Sequence, residues 1–359
     1  METLQITMGM LDLMVRPAFC VKEGIVAGVN QDARRLLIEA GTPVSTLLPD
    51  DTEEYDSFRE GCLYLTLQVL GHPLGASVTK NGEFDIFVLE QEADLAELNA
   101  MALAAQELRE PLSSVMTVAD RLFPMVATDS GAQDHVSRIN RGLFQMLRVI
   151  SNMSDAARYA QDTRPNLMVR DITAVFEEIF RKAGSLIEQI GIRLEFRNLP
   201  VSVYTLTDTE KLERAVYNLL SNALKFTPKE GTIEATLTQR DKKLYLTIQD
   251  SGPGVEPSIR GNIHARYQRQ PGLEDGRFGI GLGMVLIRSA AAVHGGTVLM
   301  EHPEGSGTRI TMTIRISQTN TGTFRSNVMP VDYAGERDHA LIELSDALPA
   351  KLYQKDLIN

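Results

Sequence analysis

Two asparagines four residues apart, Asn218 and Asn222, open the run Asn-Leu-Leu-Ser-Asn-Ala-Leu-Lys-Phe-Thr at 218–227. On a helix that spacing puts both amides on one face. Amide oxygens suit a hard cation such as Mg²⁺, which keeps waters and bridges phosphates. Lys225, nearly one turn on, can set an ammonium beside the same phosphates. Three glycine boxes follow. Asp250-Ser-Gly252-Pro-Gly254 comes directly after a strand-like run. A carboxylate at a strand end can accept from an adenine amino group, and glycines let backbone approach the base. Gly279-Ile-Gly281-Leu282-Gly283 opens an apolar helical stretch, where backbone N–H groups and the helix N-terminus attract phosphate. Gly305-Ser-Gly307-Thr308 precedes a last strand-like run. One such box is a common flexible turn. Four in order, each beside the right kind of element, point to a nucleotide site.

The elements that must carry these boxes are legible. A helix is expected over Asp171–Gln189 with Asp171 as its N-cap, and another over Asp208–Phe226. Strands are expected at Ile192–Phe196, Val201–Thr205, Thr232–Thr238 and Leu244–Gln249, a helix at Leu282–His294, then two more strands. This reads as helices on one face of a mixed sheet. Upstream, 91–127 reads as one long helix with Leu95, Leu98, Ala102, Ala105, Leu108, Leu112, Val115, Ala119 and Leu122 in its stripe. A second helix over 132–162 carries Val136, Ile139, Leu143, Met146, Ile150, Met153, Ala157 and Ala160 at alternating steps of three and four, a heptad seam. Pro124, Asp129, Ser130 and Gly131 mark the turn between them. Two such helices bury their stripes in a dimeric four-helix bundle, so a homodimer through residues 91–162 is expected. An intrachain coiled coil or packing on a neighbouring domain is the alternative.

Residues 1–90 read as a small α+β unit. Its strands are expected at Pro17–Val21, Cys62–Leu70, Leu74–Lys80 and Glu83–Leu89, with a helix near Gln31–Ala40 and a hairpin at Asn81-Gly82. His72, before Pro73, reads as a turn histidine. From Gln318 the chain turns polar, and the apolar-bearing tail that follows has no role the sequence chooses. A net charge of −11 argues against nucleic acid or an anionic membrane as partner. Cys20 and Cys62 lack metal or redox spacing. No leader and no spanning segment of about 18 apolar residues is visible, so a cytoplasmic setting is expected.

Together the boxes at 210–313 resemble the catalytic and ATP-binding domain of sensor histidine kinases, within the fold shared with gyrase, heat-shock chaperone and mismatch-repair ATPases (the GHKL group). The likeness extends back to about residue 95. It implies an α+β multidomain chain: a PAS-like α/β sensor domain at 1–90, a dimerisation helical hairpin (degenerate phosphoacceptor domain) at 91–165, an α/β-sandwich ATP-binding domain at 166–317, and a linker and tail at 318–359. The cofactors implied are ATP and Mg²⁺. Asn222 would hold the metal with Asn218 beside it. Lys225 would meet phosphate and Asp250 adenine. Gly252, Gly254, Gly279, Gly281, Leu282, Gly283 and Thr308 would line the ATP site. The family's lid phenylalanines are replaced here by His264 and Tyr267. Hydrolysing members of the group carry Glu where this chain has Asn218, and an amide cannot activate water.

One position departs from the family. The stretch Gln106-Glu-Leu-Arg-Glu110-Pro-Leu stands where the family has His-Glu-Leu-Arg-Thr-Pro-Leu. The family's phosphate-accepting histidine is therefore Gln106, whose amide nitrogen is no useful nucleophile. Glu107 keeps the place of the catalytic acid, and Glu110 replaces the residue that positions water for dephosphorylation. Two readings stay open. The chain is a diverged kinase in two-component signalling, with a response regulator or another signalling protein as partner, or it is an ATP-binding pseudokinase that acts as a dimeric scaffold.

Overall fold

The computed structural model describes residues 9–90, 93–126, 129–160, 165–254, 282–303, 307–317 and 337–354. The lid stretch with His264 and Tyr267, and Gly279, Gly281 and Gly305, lie outside them. The N-terminal unit runs β1 (Ala18–Lys22), β2 (Ile25–Val29), α1 (Gln31–Arg35), α2 (Thr52–Ser57), β3 (Cys62–Val69), β4 (His72–Asn81) and β5 (Phe84–Leu89). The β4–β5 hairpin turns at Gly82, which has φ of +65°, and Asn81 pairs with Phe84. Strand β2 went unread, because Ile25-Val-Ala-Gly-Val lies only two residues beyond β1 and reads as its continuation. Helix α1 stops at Arg35 rather than Ala40. Leu37 sits at φ of +58°, which no right-handed helix tolerates. His72 and Pro73 are in β4, not in a turn. Pro73 has no N–H to give the strand ladder, and the N–H of its partner Gln68 donates to the carbonyl of Leu47.

Helices α3 (Ala93–Met125) and α4 (Ser130–Ala160) form the hairpin. The turn between them is shorter than the sequence suggests. Pro124 is inside α3, while Ser130 and Gly131 already belong to α4, capped by the Asp129 carboxylate that accepts from the N–H groups of Gly131 and Ala132. The apolar stripes divide. Ala105, Leu112, Met116, Ala119, Phe123, Val136, Leu143 and Ile150 are buried within the chain. Leu108, Val115, Leu122, Ile139 and Met146, drawn from the same three-four pattern, are exposed.

The third unit comprises β6 (Met168–Asp171), α5 (Ile172–Ile187), β7 (Arg193–Arg197), β8 (Tyr204–Thr207), α6 (Thr209–Phe226), β9 (Thr232–Arg240), β10 (Lys243–Asp250), α7 (Leu282–Val293), β11 (Val298–Glu301) and β12 (Arg309–Arg315). Asp171 caps α5 as expected, and Asp208 caps α6, their carboxylates accepting first-turn N–H groups. β6 is a four-residue edge that pairs only with β8, too short to announce itself. The remaining strands join the N-terminal ones in a ten-stranded sheet, ordered β2-β1-β5-β4-β3-β11-β12-β10-β9-β7. The seam is β3 against β11, antiparallel, with Tyr64 opposite Val298 and Cys62 opposite Met300. Gly61, at φ of +93°, lets the chain pass against the carbonyl of Met300, which any Cβ would strike. The mixed α+β class with a large sheet and a helical hairpin is therefore what the chain adopts. No described helix is long and apolar enough to cross a membrane.

The tail does not hang free. Helix α8 (His339–Glu343), capped by Asp338, and the turn Ala350–Tyr353 lie against α4, α5 and α6. Ala340, Leu341, Ile342, Leu344, Leu348, Leu352 and Tyr353 all enter the main core. The Tyr353 ring meets Phe144 edge-on at 5.2 Å, and its hydroxyl donates to the carbonyl of Leu341.

Candidate nucleotide site

Asp250 ends β10 and is buried. One carboxylate oxygen accepts from the N–H of Gly252 at 2.9 Å and the other from the N–H of Thr308 at 3.2 Å. Burial pushes its pKa above the usual carboxylate range, and the two N–H donors pull it back. A purine amine entering here would meet an acceptor already aimed and held. The glycines around it are sterically demanded. A Cβ on Gly252 would lie 2.6 Å from the carbonyl oxygen of Phe226, and one on Gly307, at φ of +50°, would strike Asp250 itself. Gly254, at φ of +73°, passes the carbonyl of Gly307. Two boxes separated by some fifty residues in the chain thus form one wall.

The other wall is α6. Asn218 is buried, and its amide donates to the carbonyl of Arg214 at 2.8 Å. Its oxygen is thereby turned outward toward α7, where a Cβ on Gly283 would lie 2.9 Å away. Leu282 packs with Val285, Leu286 and Ala156 and ties the start of α7 to α4. Asn222 is partly buried one turn on, and Lys225 is largely buried, its pKa lowered by burial and raised in part by the carboxylate of Asp346. His294 anchors the start of this wall. Its Nδ1 donates to the carbonyl of Ala290 at 2.7 Å, which leaves Nε2 to accept the N–H of Asp208 at 3.0 Å. That tautomer is neutral, and burial holds its pKa below the usual histidine value.

The donor set fits ATP with a hard cation: two amide oxygens on one helix face, an ammonium, a buried carboxylate for the base, and backbone cleared by glycines. The metal would supply charge neutralisation at the phosphates. Asn218 Oδ1, though, accepts from Arg148 Nη2 at 3.1 Å.

That contact belongs to a cluster the sequence reading missed. Arg148 of α4 is buried and pairs with Asp346 at 2.6 Å and with Glu343 at 3.4 Å. Arg214 of α6 pairs with Glu343 at 3.2 Å and with Asp155, and donates to Asn152 Oδ1 at 2.7 Å. Asp346 also lies 3.1 Å from Lys225 Nζ. Ser137, Asn140, Arg148, Ser151, Asn152 and Asp155 make a polar stripe on α4 beside the apolar one. A polar stripe on a bundle helix was the available signal for a second packed face.

Gln106 and Glu107 are exposed on α3. The turn before them, Met101 and Ala102, packs toward Leu282 at the start of α7. Pro111 lies inside the helix, so the carbonyl of Glu107 cannot receive the N–H it would normally take from that position. The structure thus joins Asn218, Lys225, Leu282 and Gly283 in one place and Asp250, Gly252, Gly254 and Thr308 in another beside it. It leaves Gln106 and Glu107 at the surface.

Residues 207–318 match the family model described as histidine kinase-, DNA gyrase B- and HSP90-like ATPase. Fold and site together define a GHKL-type ATP-binding domain. Over 242 residues the chain is 28% identical to "Histidine protein kinase DivJ" of Caulobacter vibrioides, an alignment covering 63% of this chain and 40% of that protein. It is 27% identical over 255 residues to "Adaptive-response sensory kinase SasA" of a Synechococcus strain, covering 65% and 64%. Among solved structures, full-length ShkA in complex with AMPPNP aligns with TM-score 0.49 and 22% identity over 62% of this chain and 46% of that one. Residues 207–318 thus belong to that ATPase family, and over about two thirds of its length the chain is similar to sensor histidine kinases. It spans less than two thirds of the length of these relatives.

Proposed function

We propose that the chain binds ATP with Mg²⁺ and acts in two-component-type signal transduction as a dimer that does not phosphorylate itself at position 106. The observation that carries the reading is the pairing of two walls. Asp250 is held by Gly252 and Thr308, and Asn218, Asn222 and Lys225 are presented along α6 opposite the start of α7. Asn222 and Asn218 hold the metal, Lys225 the phosphates and Asp250 the adenine. The N-terminal sheet, ordered β2-β1-β5-β4-β3, serves as a PAS-like sensor, and the exposed residues of α3 and α4 meet a second copy. The related proteins are named as histidine and sensory kinases, which supports a signalling partner such as a response regulator.

The pseudokinase form of this reading is favoured by Gln106 itself: an exposed amide on a helix that carries no histidine. Transfer of the phosphoryl group to a histidine of another protein is the competing form. Calorimetry tests the site. Asn222→Ala should weaken ATP–Mg²⁺ by about 1–3 kcal/mol, the scale of a lost contact to a charged group. Unchanged affinity removes the assignment. Label from γ-labelled ATP appearing on the wild-type chain would remove the pseudokinase form.

A further inference from the structure

The charged cluster between α4, α6 and the tail has a composition that packing alone does not explain. Three cations, Arg148, Arg214 and Lys225, face three carboxylates, Asp155, Glu343 and Asp346. Glu343 and the two arginines are buried as deeply as any core residue. Asp346 is the outermost of the acids, and one carboxylate oxygen meets both Lys225 Nζ at 3.1 Å and Arg148 Nη1 at 2.6 Å. Lys225 is the residue placed for phosphate, and Arg148 at once donates to Asn218 Oδ1, the oxygen placed toward the metal.

We infer that residues 337–354 are an intramolecular occupant of the nucleotide site, in which Asp346 stands in for a phosphate oxygen and helps hold Arg148 of α4 where the metal's positive charge would be, so that ATP–Mg²⁺ must expel this segment to bind. The inference rests on the ATP reading given above. Charge supports it. With Asp346 withdrawn, the cluster holds three cations against two carboxylates, an excess suited to a polyphosphate. Geometry supports it too. Asn218 Oδ1 cannot serve a metal while the guanidinium of Arg148 donates to it, and Arg148 is held there partly by Asp346. The turn that presents Asp346 is fixed from α4: Arg141 donates to the carbonyls of Ser345 and Asp346 at 3.3 and 3.2 Å, and Gln145 to that of Ser345 at 3.2 Å. Apolar anchors on both sides, Leu344 and Leu348, are fully buried. A segment held in this way returns when nucleotide leaves. Its occupation lowers the apparent affinity by the fraction of molecules in which the site is open.

The experiment uses the full chain. ATP–Mg²⁺ affinity is measured by calorimetry for wild type, Asp346→Ala and the isostere Asp346→Asn, the last kept because it preserves shape if the alanine variant folds poorly. Backbone exchange is followed at the amides of Ile342, Leu344 and Leu348, which donate to Asp338, Ala340 and Leu344 carbonyls in the docked segment. The expected result is affinity about tenfold tighter in the neutral variants, the scale of charge-assisted bonds removed from the occupant. Saturating ATP–Mg²⁺ should also accelerate exchange at those amides in wild type. Equal or weaker affinity in the folded neutral variants overturns the inference. Unchanged exchange at saturation overturns it whatever the affinities, since loss of a nearby negative charge could tighten binding with the segment still in place. If neither wild type nor the variants bind ATP, the ATP reading falls with it, a result distinct from binding that is insensitive to residue 346.

Discussion

At the scale of single residues, position 106 is the one to change. Gln106→His should restore measurable self-phosphorylation in the folded chain, because Glu107 would then stand next to an imidazole and could accept its N–H. The readout is acid-labile label from γ-labelled ATP. A silent variant that still binds ATP would place the loss beyond one side chain, with Glu110 the nearest departure from the family's pattern. His294 supports a second residue-scale expectation. It is neutral in the fold, and its pKa is depressed by burial, so the unfolded chain takes up a proton at higher pH than the folded one. Its contribution is complete above the unfolded value near 6.5 and fades as pH falls toward the folded value. Melting temperature should therefore drop between pH 7.5 and 5.5. His294→Gln should start lower and drop less. Equal slopes in the two proteins would show that the imidazole does not link pH to the start of α6.

At the scale of elements, α4 and α6 are clamped through Arg214. Arg214→Met removes one partner of a buried pair and leaves Glu343 without it, a change of the kind that costs about 3–5 kcal/mol. Glu343→Gln added to that variant should recover part of the loss, and denaturant midpoints measure both. A loss below about 1 kcal/mol in Arg214→Met would mean that the clamp carries little of the stability. This clamp is also where sequence reasoning ran out. Periodicity gave α3 through α7 with boundaries a few residues off, because hydrophobic spacing and caps such as Asp171 and Asp208 are local signals. The glycine and asparagine boxes mark the candidate site by local signals of the same kind. Asp346 could not be found this way. It lies more than a hundred residues from Lys225 and Asn218, and a single aspartate in an apolar tail has no spacing to betray its partner. Leu143 and Ile150 fell in the seam as read, yet they are buried inside the chain. Charges there would unfold the hairpin instead of parting two copies of it.

At the scale of the molecule, Leu108, Val115, Leu122, Ile139 and Met146 are the residues to test for dimerisation, since they are exposed while following the helical repeat. Light scattering at micromolar concentration should give twice the chain mass, and Val115→Lys with Ile139→Lys should give one chain mass with the melting temperature little changed. A single-chain mass for the parent protein would refute the bundle. The β3–β11 seam has a different consequence. Three pairs of facing residues, from Cys62–Met300 to Tyr64–Val298, join the backbones of the two halves of the ten-stranded sheet. Were the halves to part, β3 and β11 would each present unpaired backbone to solvent, the template on which strands of other molecules add. Both strands are apolar there, with Leu63, Val298 and Met300 buried at the join. Gly61→Ala, which would drive the backbones apart, should therefore be met first as aggregation, read as a rise in light scattering ahead of any loss of helical signal.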